Sequence, residues 1–192
     1  NHNQVRTPDH IIVLDRTLED DEVVRRAVQS GVVSFINIGT DLEDSKKAIA
    51  VAEAYPEVYA AIGYHPHETK NAAAEELAEL EKLLAHPKVV AVGEVGLDYF
   101  HDHSPREVQR ELLYTFLQWY KKYRKPLILH CRDAYDDLLA TLNSTVPFPC
   151  HGVLHCFSSD APTMKKFLGL GFYVAFGGAL TYKKNDALRE AC

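Results

Sequence analysis

Long apolar runs are absent from this sequence. No stretch approaches the ~20 consecutive apolar residues that a membrane-spanning helix needs, so we expect no membrane partner. The opening stretch, NHNQVRTPDH, lacks the basic and apolar regions of a signal peptide. A cytoplasmic protein is therefore expected, although a chain that opens on Asn leaves its true start undetermined.

Cysteine and positive charge are also scarce. The four cysteines form no C-x-x-C pair, which argues against a disulfide framework and against a zinc ribbon. We expect reduced, mostly buried thiols, with Cys131 and Cys156 in the core. The net charge is −6, which excludes a broad basic face for nucleic acid but leaves room for a small local site.

What the sequence does contain is a regular alternation. Short apolar runs alternate with stretches of helical period, which is typical of βαβ units around a parallel sheet. The composition is that of an ordinary globular chain, and we expect one domain over residues 1–192. The seven predicted strands are residues 10–15, 32–39, 58–66, 89–96, 126–131, 152–157 and 172–178.

Two α/β architectures fit this order: an open doubly wound sheet and most of a (β/α)8 barrel. The Gly-x-Gly-x-x-Gly pattern that favours a dinucleotide-binding sheet does not follow the first predicted strand. Helix ends are indicated as well: Asp41 or Asp44 is placed to cap the second helix, and Gly31 and Gly171 suit helix ends.

Polar residues stand at the ends of four consecutive predicted strands, namely His65, Glu94, His130 and His155. The carboxyl ends of parallel strands meet at one edge, where barrel enzymes place their chemistry. A buried carboxylate is costly without a partner. One carboxylate converging with three imidazoles therefore indicates a metal site.

Strand alternation refines this prediction. Val90, Val92 and Glu94 are expected to share one face of the fourth strand, as are Ile128 and His130 on the fifth. If that face points into a barrel, the chemical groups lie at its top.

Other polar residues follow the same strands. We interpret His67, His101 and His103 as solvated loop residues. Asp98 is left with two interpretations: it orients a metal ligand from behind, or it holds its loop.

Positive charge occurs at both ends of the predicted barrel. Lys121–Lys125 ends the fourth helix and leads into a strand, so this run belongs to the bottom and suits the helix dipole. Arg132, Lys183 and Lys184 belong to the top, and the loop after strand seven is where barrels often bind phosphate.

Six motifs carry a family resemblance: GTDLEDS (39–45), IGYHPHE (62–68), VVAVGEVGLDYF (89–100), PLILHCRDA (126–134), GVLHCFSSD (152–160) and GGALTYKK (177–184). With these motifs in order, the chain resembles the TatD family of metal-dependent deoxyribonucleases, within the amidohydrolase-like barrels. The resemblance implies a TIM-type (β/α)8 barrel and a hydrolase that trims DNA from 3′ ends.

The resemblance also implies roles for individual residues. Glu94, His130 and His155 match the family's metal ligands, and Glu94 and His65 are the expected catalytic residues. The implied cofactor is a divalent ion, with Mg expected and Mn or Zn as alternatives.

A phosphate of the substrate is expected to contact Arg132 and the amides near Gly177 and Gly178. The hypothesis is metal-assisted phosphodiester hydrolysis, in which the ion acidifies a bound water and neutralises charge on the phosphoryl oxygen.

Two departures from the family pattern are present. Many members have His-x-His on the first strand, where this chain has Ile11 and Val13. The chain also stops at Cys192, within the expected seventh helix, so about seven βα units are expected, without the eighth strand and its metal-binding Asp.

Two alternatives to a deoxyribonuclease stay open. A sister amidohydrolase acting on an amide or ester has similar ligands, and the absent ligands favour an inactive fragment or pseudoenzyme. The sequence does not determine the oligomeric state, and a monomer is the default expectation.

Overall fold

Seven strands form the frame of the computed structural model, which describes residues 11–14, 21–147 and 149–192, with the backbone alone at 11–14 and 21. All seven strands expected from the sequence are present, and most are shorter than their apolar runs. They are β1 Ile11–Leu14, β2 Ser34–Ile38, β3 Val58–Ile62, β4 Val89–Asp98, β5 Leu127–Arg132, β6 Gly152–Leu154 and β7 Tyr173–Val174.

Helices connect successive strands, as the alternating pattern predicts. They are α1 Asp21–Gln29, α2 Leu42–Ala54, α3 Ala74–Leu83, α4 Arg106–Tyr123, α5 Tyr135–Thr145, α6 Ala161–Gly169 and α7 Asp186–Ala191. Within the described ranges, no helix is both long enough and apolar enough to cross a membrane.

The predicted helix ends are confirmed by local geometry. Asp41 is the N-cap of α2, and its side chain accepts a hydrogen bond from the backbone N–H of Asp44 at 2.7 Å. Gly31 and Gly171 follow α1 and α6 with φ angles of 93° and 97°, a left-handed conformation that glycine adopts without strain.

The strands pair in parallel in the order β1-β2-β3-β4-β5-β6-β7. Each strand neighbours the next in sequence, as in a TIM-type barrel, and among the described residues β7 does not pair with β1. The fold is therefore α/β, an incomplete (β/α)8 barrel of seven strands, which confirms the predicted class.

The core has two layers of unequal size. The large layer lies between the sheet and its helices and contains Leu97, Phe116 and Leu129 among many others. The small layer lies on the opposite, inner face of the sheet, and its fully buried members are Ile38, Ala61, Ala91 and Ile128. Small and branched side chains line this inner face, immediately before the polar residues that end the strands.

The fourth strand departs from simple alternation. Val92 pairs with Leu127 and Val95 pairs with Leu129. Between these two pairs β4 contains one residue more than β5, which is a β-bulge. Val92 consequently packs in the outer layer while Ala91 packs in the inner one. The prediction that Val92 shares a face with Glu94 is therefore wrong, because the bulge between Val92 and Val95 shifts the phase of the strand at Glu94.

Gly96 is the residue at which β4 approaches β5 most closely. Gly96 pairs with His130 and has φ 150°, and a Cβ there would overlap the carbonyl oxygen of His130. Any side chain at this position must therefore push the two strands apart beside the polar residues.

We predict that Gly96→Ala destabilises the fold by about 3 kcal/mol, from backbone strain and overpacking, and lowers Tm by roughly 6–12 °C. Thermal unfolding followed by circular dichroism measures this. Gly169→Ala is the matched control, since a Cβ there meets nothing within 4 Å, and it should leave Tm nearly unchanged. Equal Tm values for the two variants would contradict the packing argument.

Candidate metal centre

Glu94 lies between two imidazoles at the upper end of the sheet. Its Oε1 is 3.3 Å from Nδ1 of His155 and 3.5 Å from Nδ1 of His130. The carboxylate is 6% exposed, and His155 is 8% exposed. The structure thus brings together the three residues that the sequence indicated as ligands.

Each of the three is positioned by the end of a strand. Glu94 lies within the bulge of β4, His130 lies two residues before the end of β5, and His155 directly follows β6. The Ile128 side chain packs in the inner layer below His130. The polar groups therefore stand on top of a dry apolar layer.

The distances from the Glu94 carboxylate to the two imidazoles suit a shared ion better than direct hydrogen bonds. Distances of 3.3 and 3.5 Å exceed the usual range for N–H···O bonds. Two ligands that each lie about 2.1 Å from one ion are separated by about 3.0–3.5 Å. One carboxylate oxygen and two imidazole nitrogens are also ordinary ligands for a divalent metal, so the residues fit such an ion.

The charges at this centre are strongly coupled. Burial alone would raise the pKa of Glu94, but the bonds to His130 and His155 outweigh it and hold the pKa well below its usual range. Burial opposes charge on the two imidazoles as well, yet their acidic partners raise the pKa of His130 to about 9. The pKa of His155 is raised to about 10, against the effect of burial, by Cys156 and Glu94. Metal binding must therefore displace protons.

Asp98 organises the other side of His130. Its Oδ2 lies 2.9 Å from each of three imidazole nitrogens, namely Nε2 of His67, Nδ1 of His101 and Nε2 of His130. Its Oδ1 accepts the backbone N–H groups of Phe100 and His101 at 3.1 and 2.8 Å. Burial would raise the pKa of Asp98, but these bonds outweigh it and lower the pKa.

Both roles left open for Asp98 are therefore present. The Oδ1 contacts hold the turn after β4, and the Oδ2 contact orients the ring of His130. A carboxylate on the far nitrogen of a ligating histidine is a common arrangement around protein-bound metals. Gln109 of α4 locks the position of Asp98, since its side chain bonds both the N–H and the carbonyl of Asp98, at 2.8 and 3.0 Å.

His65 lies in the loop three residues after β3, packed edge-on against His130 and His67 with ring centroids 4.4 Å apart in each pair. Burial, followed by the charge on His130, lowers the pKa of His65 to about 3, so its ring is neutral. Its Nδ1 accepts the backbone N–H of His67 at 3.3 Å, which leaves the ring proton on Nε2.

His67 and His101 are partly solvated, with side chains 26% and 44% exposed, but they are not merely loop residues, because both bond to Asp98. His103 lies beside them, its ring centroid 4.6 Å from that of His67. A signal was present in the sequence. His65-x-His67 and His101-x-His103 occupy the loops after two adjacent strands, and such loops meet at one edge of a parallel sheet.

The prediction for Cys156 is also wrong. Cys131 is buried, but Cys156 is exposed, and its Sγ lies 3.4 Å from Nε2 of His155. In a continuing strand His155 and Cys156 would point to opposite faces, yet β6 ends at Leu154 and Cys156 has φ 47°. The strand rule does not extend to residues beyond the strand.

Arg132 lies on a cavity next to the strand ends. Its guanidinium stacks 4.9 Å from the ring centroid of Phe100, and its Nε is buried without a hydrogen-bond partner in the described structure. The cavity measures about 340 Å³, and its polar lining residues are Arg132, Ser158, Ser159, Asp160, Lys184 and Asn185.

Gly177 and Gly178, the two glycines expected to contact phosphate, directly precede Ala179, which lines this cavity, but they are not lining residues themselves. Gly177 packs against Cys156, and a Cβ added at Gly177 would lie 3.0 Å from the Sγ of Cys156. Gly178 begins a 3₁₀ turn that ends at Thr181. The structure thus brings Arg132 together with Lys184 rather than with these glycines.

Comparison with known proteins identifies the family. The sequence model of the family described as TatD related DNase matches residues 9–192. The chain is similar to the uncharacterized metal-dependent hydrolase YabD of Bacillus subtilis, at 36% identity over 88% of this chain and 67% of the relative. It is also similar to the 3'-5' ssDNA/RNA exonuclease TatD of Citrobacter rodentium, at 34% identity over 90% of this chain and 66% of the relative.

Solved structures give the same result. YjjV, a TatD homolog from Escherichia coli, superposes with a TM-score of 0.82 at 36% identity, over 89% of this chain and 67% of that one. A TatD family hydrolase from Entamoeba histolytica superposes with a TM-score of 0.79 at 29% identity, over 88% of this chain and 64% of that one. The chain thus spans about two thirds of the length of these relatives. From its motifs, its fold and these matches, the chain belongs to the TatD family of metal-dependent hydrolases.

Proposed function

We propose that this chain hydrolyses phosphodiester bonds at the 3′ ends of DNA, with a divalent metal ion held by Glu94, His130 and His155. The observation that carries the proposal is the convergence of one carboxylate oxygen on two imidazole nitrogens at 3.3 and 3.5 Å, above a dry inner layer. When bound, such an ion polarises a phosphoryl oxygen and acidifies a bound water.

The protein's own groups have distinct tasks in this proposal. Glu94 supplies the negative charge that holds the ion, and Asp98 keeps the ring of His130 turned toward it. His65 is neutral, so it acts by donating a hydrogen bond from Nε2 to an oxygen of the substrate rather than as a charged acid.

The metal is proposed to be Mg, with Mn or Zn as alternatives. Two imidazole ligands suit Mn or Zn well, whereas Mg binds mainly through oxygen. Metal content after purification without chelators, followed by reconstitution with each ion, decides among them.

Arg132 and Lys184 are proposed to bind a phosphate of the substrate. Both line one cavity. The Nε of Arg132 is buried without a hydrogen bond to any described residue and lies 3.9 Å from Oδ1 of Asp133, so the guanidinium can donate charge-assisted hydrogen bonds to an anion. The amides at Gly177 and Gly178 are retained as secondary contacts. A local anion site of this kind reconciles a nucleic-acid substrate with a net charge of −6.

The substrate class rests on relatives named 3'-5' ssDNA/RNA exonucleases. Single-stranded DNA with a free 3′ end is the first substrate to test, followed by RNA of the same sequence. An amide and an ester substrate belong in the same panel, because hydrolysis of those alone would favour a sister amidohydrolase. The cytoplasmic location and the monomeric state stay predictions.

We predict that Glu94→Gln lowers metal-dependent cleavage of a 5′-labelled oligonucleotide at least 100-fold and abolishes tight binding of the ion at the Glu94 centre, so that the bound metal falls by one ion per chain. The change keeps the shape of the side chain but removes the charge that the ion needs. Equilibrium dialysis measures the metal, and gel electrophoresis measures the cleavage.

Glu111→Gln is the control for this experiment, since Glu111 is exposed on α4. It should leave both quantities unchanged. Wild-type metal content and wild-type cleavage in Glu94→Gln would refute the metal assignment.

We predict that Arg132→Gln raises KM for the oligonucleotide about tenfold or more, since a hydrogen bond to a charged group contributes ~1.5–3 kcal/mol. Metal content should stay at the wild-type value. Steady-state kinetics and dialysis measure the two effects separately.

Lys122→Gln removes the same charge at the opposite end of the barrel, where Lys122 bonds Glu81 at 2.9 Å. It should leave KM unchanged. If Lys122→Gln raises KM and Arg132→Gln does not, the substrate binds at the opposite end of the barrel and the proposal is wrong.

A further inference from the structure

A second set of metal-ligating side chains lies beside the Glu94 centre, at the rim of the strand ends. We call it the rim cluster: His67, Asp98 and His101, with His103 next to them. One ligand atom from each of the first three lies within 4.8 Å of the others. None of these side chains is among the ligands expected for the Glu94 centre.

The carboxylate of Asp98 is fixed in a way that leaves one oxygen for the rim. Oδ1 is taken by two backbone N–H groups. Oδ2 faces Nε2 of His67 and Nδ1 of His101 at 2.9 Å each. The Asp98 side chain is 0% exposed, whereas those of His67 and His101 are 26% and 44% exposed, so an ion can reach the rim from solvent.

The donor set selects the class of ion. Two imidazole nitrogens and one carboxylate oxygen suit zinc and its neighbours among the divalent transition metals, while Mg prefers oxygen ligands and keeps much of its water. The 2.9 Å separations are those of direct hydrogen bonds, and an outward movement of a few tenths of an ångström brings the same atoms to the ~3.0–3.5 Å expected between ligands of one ion. Water can complete the coordination; the ring of His103 stacks on that of His101 at a centroid distance of 5.8 Å and an interplanar angle of 9°.

The geometry also separates this site from the Glu94 centre. His130 directs Nδ1 toward Glu94 and Nε2 toward Asp98. The Glu94 centre therefore uses one nitrogen of this ring, and the rim cluster uses neither. The two sites touch through the bond between His130 and Asp98, but they share no ligand atom.

From this arrangement we propose that the rim cluster binds a zinc-class divalent ion through His67, Asp98 and His101, in addition to the ion at Glu94. The proposal does not depend on hydrolysis. It concerns a second site whose occupancy can be counted in protein that cannot cleave anything.

The test counts zinc in a Glu94→Gln background, where the first site is disabled. The full chain is stripped with a chelator and dialysed against Zn²⁺ in the presence of excess Mg²⁺, and bound zinc is measured by elemental analysis. We expect one zinc per chain in Glu94→Gln. Adding His101→Ala, or separately His67→Ala, should weaken that binding at least tenfold, and circular dichroism checks that each variant is folded.

His86→Ala is the matched control in the same background, because His86 is also partly exposed and also contacts a carboxylate, that of Glu53 at 3.1 Å. It should keep the zinc. The proposal is overturned if Glu94→Gln alone binds no zinc, if Mg²⁺ displaces it, or if the His101→Ala and His67→Ala variants bind it as tightly as the control. Failure of DNA cleavage in the wild type affects the proposed function and leaves this count unaffected.

Discussion

The ring of His130 lies between two buried carboxylates of the same strand, with Nδ1 3.5 Å from Glu94 and Nε2 2.9 Å from Asp98. Two buried negative charges without such a partner would be costly in desolvation and mutual repulsion. The bond also sets the direction of the ring, because Asp98 is itself held by Gln109 and by the turn after β4. The upper edge of the sheet and the chemistry on it therefore depend on the same contact.

Backbone features of β4 make that contact possible. The bulge places Glu94 on the inner face, and the absence of a side chain at Gly96 lets β4 approach His130. An alternating strand of the same length would place the carboxylate in the outer layer, among Val92, Leu97 and the other residues that face the helices. The candidate metal centre thus depends on a local irregularity in an otherwise regular barrel.

The charges are divided between the two ends of the sheet. The carboxylates and imidazoles occupy the upper edge, with Arg132 and Lys184 on the adjacent cavity. At the lower edge Lys125 bonds the carbonyl of Val89, the first residue of β4, and Lys122 pairs with Glu81. The proposed anion site is therefore small and local, which makes a net negative protein compatible with the proposed phosphodiester substrate.

Much of this arrangement was predictable from sequence. The alternation of apolar runs and amphipathic stretches gives the order of elements, and the positions of Glu94, His130 and His155 give the centre, because strand ends in a parallel sheet share one edge. The phase of β4 was not predictable, since a bulge is set by pairing with β5 and leaves the pattern of valines unchanged. The bonds of His67 and His101 to Asp98 were missed because residues in loops were assumed to contact only solvent. The exposure of Cys156 was missed because a rule for strands was applied to a residue beyond the end of β6.

The central claim is that one divalent ion lies between Glu94, His130 and His155. The most direct test is the anomalous difference density of crystals grown or soaked with Mn²⁺. The account predicts the strongest peak about 2.0–2.3 Å from Oε1 of Glu94 and from Nδ1 of both histidines. Density elsewhere at full occupancy, with none between these three atoms, would contradict it.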